Sequence, residues 1–314
     1  MGQIALKVDV DSLRGTLEGV PNLSRLLDQA KITATFLFSL GPDHTGWALK
    51  RIFRPGFLKK VSRTSVLEHY GLKTLLYGVL LPAPDIGIKG QTAMREVMHC
   101  GHEIGIHTWD HIVWQDHVRH ATPEWTLKHM QAAWDRFNHI FKRAPTTHGA
   151  AGWQMNSTAF EQLDHWQLPY ASDGRAPLNL MPYRINMGKS ICKHIQYPTT
   201  LPTFDELIGV KGMGPSDAVD YILRLTANNP NDQVFTLHAE LEGQKLLPMF
   251  TQLLQGWFAQ GHECVSMQKL HQSWLSTGQL IHLATQPILW GEVPNRSGEM
   301  IIISPEKLNP SSNL

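Results

Sequence analysis

Two aspartates alternate with valines at the end of an apolar run, Val8-Asp9-Val10-Asp11, and a histidine pair closes another such run as His107-Thr108-Trp109-Asp110-His111. Carboxylate oxygen and imidazole nitrogen are the ligands of a catalytic divalent ion, held by three protein groups with one position left open. Asp11, His107 and His111 supply one oxygen and two nitrogens. Side chains two residues apart on a strand project the same way, so Asp9 shares the site of Asp11 if the strand runs that far. A divalent ion lowers the pKa of a coordinated water and polarises a carbonyl oxygen. A carboxylate not needed for the ion can then take the water's proton, and Asp9 is the candidate base. Two histidines with one carboxylate suit zinc, manganese, cobalt or iron alike. His238 follows the apolar run 234–237 and is the candidate general acid for a departing amine. Asp173 or Arg175 could orient that acid or the base. Local alternatives stay open: Asp9 and Asp11 could cap the next turn or pair with Arg14, and Asp173-Gly174-Arg175 could be a turn with its own ion pair. Glu240 and Glu242 fit either a role in the site or a solvated loop face, and His102 and His117 are fallback ligands.

These residues need a frame that gathers them. Strand-like runs at 4–10, 32–38, 103–106, 168–171, 234–237 and 264–267 alternate with helical stretches at 20–30, 124–141, 218–227 and 246–259. Such alternation implies an α/β fold with a mostly parallel sheet, open or closed into a barrel. In these folds ligands bind at the C-terminal ends of the strands. Asp9 and Asp11, His107, Asp173 and Arg175, and His238 all fall at such ends. In a chain with 17 histidines, that joint placement carries more weight than any single His-x-x-x-His spacing.

Composition narrows the class. The 314 residues, 42% hydrophobic and 18% charged with net charge +1, suit one large folded domain and argue against disorder. Near-neutral charge gives no sign of nucleic-acid binding. Cys100, Cys192 and Cys264 are scattered, which fits reduced thiols and no zinc-thiolate pattern. No stretch approaches the ~20 apolar residues of a membrane span, and no signal-peptide pattern precedes the first strand, so a cytoplasmic protein is expected.

One segment breaks the alternation. Residues 41–90 mix Trp47, Leu49, Ile52, Phe53, Phe57 and Leu58 with Lys50, Arg51, Arg54, Lys59, Lys60 and Arg63. A basic amphipathic segment with bulky apolar residues fits an interfacial helix that touches anionic membrane. A helical flap with a solvated basic face fits equally. The domain is expected to span 1–277, with a proline-containing extension, 278–314, packed on it.

The order Asp-x-Asp, His-Thr-x-x-His and late Leu237-His238 resembles the polysaccharide deacetylases of the NodB-homology type, carbohydrate esterase family 4. Further carrying segments are Phe36-Leu37-Phe38-Ser39-Leu40-Gly41-Pro42-Asp43, Ala150-Ala151-Gly152-Trp153, Ser172-Asp173-Gly174-Arg175, Pro202-Thr203-Phe204-Asp205-Glu206 and His238-Ala239-Glu240-Leu241-Glu242-Gly243. The resemblance covers nearly the whole chain in order. It implies a distorted (β/α) barrel and metal-dependent hydrolysis of an N-acyl amino sugar. Asp9 would be base, Asp11, His107 and His111 ligands, and His238 acid. Within the family the likeness is greatest to members that deformylate a lipid-linked amino sugar, which implies that substrate and peripheral attachment to the cytoplasmic face of the inner membrane. Two departures stand out. Val10 separates aspartates that the family has adjacent, so the division of roles between Asp9 and Asp11 stays open. The family's arginine-proline motif has no arginine near 150–153, and Arg175 is the expected substitute partner of the base. An N-deacetylase for another amino sugar and a non-catalytic sugar- or lipid-binding barrel are the competing functions.

Overall fold

Strand β1 (Gln3–Val10) occupies the middle of the sheet and is buried from Ile4 onward. It pairs in parallel with β2 (Thr35–Ser39) on one side and β7 (Gln233–His238) on the other, and its first residues also pair with β8 (Glu263–Val265). β3 (Glu103–Thr108) extends the sheet beyond β2. The computed structural model of the chain describes residues 2–48, 72–179, 182–296 and 298–303. Lys50, Arg51, Arg54, Lys59, Lys60 and Arg63 of the insertion lie outside the described residues, as do residues 304–314 of the extension.

The alternation along β1 decides what faces the site. Ile4, Leu6, Val8 and Val10 point outward into a core completed by Leu23, Leu27, Met94, Phe137, Ile222, Leu253 and Trp257 from the surrounding helices. Ala5 joins the opposite cluster with Tyr170, Val234 and Val265, so Lys7 and Asp9 share the interior face. Strands covered on both faces carry near-continuous apolar runs, which is why the polar residues at 7 and 9 stand out.

Backbone hydrogen bonds carry the sheet round into a ring. Gly149 N donates to Ile106 O (3.0 Å), Ser172 N to His148 O (2.8 Å), Tyr197 N to Ala171 O (2.9 Å) and Thr200 N to Val234 O (3.1 Å). They link β3 to residues 147–149, then to β4 (Tyr170–Ala171), to β6 (Ile195–Gln196) with its continuation, and back to β7. This far side is held by single bridges such as Ile106↔His148 and Arg175↔Thr199 instead of regular ladders. Pro198 has no N–H to offer there. The result is a distorted barrel.

Several elements depart from expectation. The second strand starts at Thr35 and not at 32, because Lys31 takes a left-handed turn (φ 57°) and Ile32 N closes the preceding helix on Leu27 O. The run 264–267 stops at Val265, since Ser266 Oγ caps Lys269 N (3.2 Å) and starts helix Met267–Ser276. Helices Gln91–His99, His111–His117 and Ser157–His165 carry no strong signal in the sequence. In the extension, β9 (Ala284–Pro287) pairs with β5 (Tyr183–Asn186), and β10 (Trp290–Glu292) forms a hairpin with β11 (Glu299–Ile301). Arg175 N donates to Ile301 O (2.8 Å), which binds the hairpin to the barrel. Among the described residues no helix is long and apolar enough to cross a membrane.

Candidate metal centre and active site

Asp11, just beyond β1, meets His107 near the end of β3 and His111 at the start of helix His111–His117. Asp11 Oδ1 lies 3.2 Å from His107 Nε2, and Asp11 Oδ2 lies 3.4 Å from His111 Nε2. One ligand atom from each falls within 4.8 Å of the others. His107 Nδ1 donates to Gly149 O (2.6 Å), which fixes the tautomer and leaves Nε2 for an ion. Asp11 Oδ1 and His107 Nε2 are buried and have no hydrogen-bond partner. Buried polar atoms are seldom left unsatisfied, and a divalent cation would satisfy both, so the donor set fits such an ion. Asp110 Oδ1 caps the helix by accepting from Val113 N (3.1 Å). Burial favours a neutral Asp11, but the charges of His111 and His107 outweigh it and hold the carboxyl well below the usual carboxylate range. Burial likewise opposes charge on His107, and the carboxylates of Asp9 and Asp11 reverse this and raise it.

Asp9 stands beside this cluster, with Lys7 Nζ 3.3 Å from its Oδ2. Lys7 is wholly buried and lies 5.1 Å from the Trp153 ring centre. Its burial lowers its pKa despite the raising influence of Asp9 and Asp173. Lys7, and not Arg175, is the cation beside Asp9. The Arg175 fork is committed to Glu206 (2.5 and 3.0 Å), with Leu201 O a further acceptor at 3.4 Å. That bidentate pairing corrects the expectation that Arg175 would take over as partner of the base. Asp173 is also committed: it accepts from His148 Nδ1 (2.6 Å), Ala150 N (2.9 Å) and Gln196 Nε2 (2.7 Å), so its bonds hold the barrel wall and do not reach Asp9 or His238.

His238 ends β7 directly opposite Asp9 in the parallel ladder. Its Nδ1 is buried without a hydrogen bond, and its ring meets Trp153 edge-on at 6.5 Å. The following glutamates are no solvated loop face. Glu240 Oε1 accepts from Asp11 N (3.1 Å), Ser12 N (2.9 Å) and Ser12 Oγ (2.7 Å), fixing the turn that carries Asp11. Burial, with the Asp11 charge, raises Glu240 well above its ordinary range. Glu242 Oε2 accepts from His238 N (2.7 Å), and burial pushes its carboxyl up to about 8. Neither fallback ligand, His102 nor His117, belongs to the cluster.

Two cations escaped the sequence reading. Lys7 was visible in principle, since it lies two residues before Asp9 on one strand face. Arg296, from the distant extension, had no signal. Its Nη1 lies 3.1 Å from Glu206 Oε1 and 3.3 Å from Asp205 Oδ2, with the guanidinium 4.2 Å from the Trp153 ring centre.

No family model matches the chain. A relative from Shewanella sediminis (strain HAW-EB3), named probable 4-deoxy-4-formamido-L-arabinose-phosphoundecaprenol deformylase ArnD, is 34% identical over 253 residues, covering 80% of each chain. The protein of the same name from Wigglesworthia glossinidia brevipalpis is 34% identical over 241 residues, 76% of this chain and 82% of that one. Among solved structures, a Mycobacterium smegmatis protein described as a polysaccharide deacetylase superposes with TM-score 0.62 at 14% identity, covering 93% of this chain and 96% of that one, and so shares the fold. On the strength of the two curated relatives, the chain belongs to the family of ArnD deformylases.

Proposed function

We propose that the protein hydrolyses the N-formyl group of 4-deoxy-4-formamido-L-arabinose linked to undecaprenyl phosphate, releasing formate and the free 4-amino sugar lipid. The observation that carries the reading is the convergence of Asp11, His107 and His111 on one point beside the Lys7–Asp9 pair, with His238 across the same strand ends. A divalent ion held by the three ligands would polarise the formyl carbonyl and acidify the attacking water. Asp9 accepts the proton of that water as its oxygen bonds to the formyl carbon. Lys7 keeps Asp9 compensated and in place. As the carbon–nitrogen bond breaks, His238 delivers a proton to the departing sugar nitrogen. Trp153, packed against the rings and cations of the site, walls it from solvent.

The same reading places the protein in the modification of lipid A that confers polymyxin resistance, peripherally attached to the cytoplasmic face of the inner membrane. Val79, Leu80, Leu81 and Ile88, on the described margin of the insertion, are 50%, 77%, 38% and 59% exposed. Together with the basic composition of 50–63 in the sequence, they suit an anionic lipid surface.

The test is formate release from the formamido-arabinose lipid, with the N-acetyl analogue alongside. Wild type should release formate, lose activity to a chelator and regain it with a divalent ion, whereas Asp9→Asn should be slower by roughly 10²–10⁴-fold. Full activity of Asp9→Asn would remove the base assignment. Preference for the acetyl substrate would replace the deformylase with a deacetylase. Unchanged vesicle binding after neutralising Lys59, Lys60 and Arg63 would end the docking idea.

A further inference from the structure

The neck of the insertion touches both arms of the metal centre. Asp43 Oδ2 accepts from Leu13 N (2.9 Å) and so steadies the turn that follows Asp11. His44 Nδ1 donates to Asp110 Oδ2 (2.5 Å), while the other oxygen of Asp110 caps the helix that begins with His111. His44 is gripped in turn from the insertion side. Trp47 stacks on its ring with centroids 4.1 Å apart, and Trp47 Nε1 donates to Gly78 O (2.6 Å). The two sides of the neck close this tightly only because of two glycines. A Cβ on Gly46 would fall 2.3 Å from Tyr77 O. A Cβ on Gly78, which sits at φ +76°, would fall 2.8 Å from both His44 Cδ2 and Trp47 Nε1. Backbone bonds from Asp43 N to Pro84 O (2.9 Å) and from Ile86 N to Gly41 O (2.8 Å) complete the clasp.

We propose that His44 is a positioning residue for the metal centre. It orients Asp110 and, through that cap, the first turn that bears His111. Through Trp47 and Gly78 it makes the affinity for a divalent ion depend on closure of the neck. Groups that orient metal ligands from outside typically change affinity by 10–100-fold when lost. The inference rests on the metal reading of Asp11, His107 and His111.

The experiment measures zinc affinity of the full chain by chelator competition, corrected for the folded fraction from metal-free unfolding curves. His44→Ala should bind zinc about tenfold more weakly than wild type. His44→Asn, which keeps an N–H donor where Nδ1 stood, should recover most of that loss. Gly78→Ala should weaken zinc as well, although it adds no group near the ligands. Wild-type affinity in His44→Ala, or a loss that His44→Asn does not repair, would overturn the positioning role. Wild-type affinity in Gly78→Ala would overturn the coupling to the neck. A wild-type protein that binds no zinc, cobalt or manganese would overturn the metal reading itself, a separate result.

Discussion

Glu242→Gln should make the protein less sensitive to a rise in pH between about 4.5 and 8, and the size of the effect follows from where that carboxyl sits. Glu242 is wholly buried, its Oε2 accepts from His238 N (2.7 Å), and its Oε1 has no partner. Burial disfavours the charged form and lifts the pKa from 4.5 to about 8. The folded state therefore holds a proton that the unfolded chain releases above pH 4.5. Below 4.5 both states are protonated and the group contributes no pH dependence. Above it, stability falls by about 1.4 kcal/mol per pH unit until the folded carboxyl also ionises near 8. The cost is about 3 kcal/mol at pH 7, and most of it accrues between pH 5 and 7. Glutamine has the shape of the protonated acid, keeps an oxygen for His238 N and does not titrate. Urea unfolding of both proteins, metal-free and at fixed ionic strength, should give matching stabilities at pH 5 within about 1 kcal/mol, and a variant ahead by roughly 2 kcal/mol more at pH 7 than at pH 5. Parallel stability profiles across that range would refute the assignment of a buried, protonated Glu242.

Two further substitutions separate the cations of the site. Lys7→Met removes the charge beside Asp9 without changing bulk and should cost about 3–5 kcal/mol in urea unfolding, because it leaves a buried carboxylate uncompensated; a loss below about 1 kcal/mol would mean Asp9 does not depend on Lys7. Arg175→Ala should destabilise the fold by a similar amount through Glu206, yet leave formate turnover per folded molecule within about threefold of wild type, since Arg175 does not bond to Asp9. A loss of turnover with unchanged stability would restore Arg175 to the chemistry.

The part of the site legible in the sequence is the part carried by regular strands. Asp9, His107 and His238 could be placed because apolar runs ended at them, and the period of two put Asp9 on the interior face. His111 followed from its spacing to His107, although the helix that carries it, capped by Asp110, was not foreseen. The far wall of the barrel was not legible, because it is built from single bridges around 148, 172 and 199 that leave no alternation of polar and apolar residues. Arg175 lies beyond a strand end, as its place in the sequence suggests, but its partner is Glu206 and not Asp9, and the helix Phe204–Leu207 that presents that carboxylate has no local signal near Arg175. Arg296 depends on a hairpin that folds back from the end of the chain, a contact that no local pattern announces.

The interior charges bear on why Asp11 Oδ1 and His107 Nε2, among the candidate metal ligands, have no hydrogen-bond partner. Arg175 and Arg296 are matched by Glu206 and Asp205, Lys7 by Asp9, and Asp173 by three donors from the wall. Against that compensated surround, Asp9 Oδ1, Asp11 Oδ1, His107 Nε2 and His238 Nδ1 are buried with no hydrogen-bond partner. A buried polar atom without a hydrogen bond costs free energy, which Asp11 and His107 offset only in part through the 3.2 Å ion contact between them. The surrounding pairs hold these atoms in place: the side chains of Asp11 and His107 cannot swing away while Glu240 grips the Asp11 turn and Gly149 O holds the His107 ring. Binding an ion at Asp11 and His107, and a polar substrate between Asp9 and His238, would relieve all four atoms. Each such ligand binds the folded state alone and so stabilises it in proportion to its affinity. The poor internal bonding of the site and the ion and amide proposed for it would therefore have one physical origin.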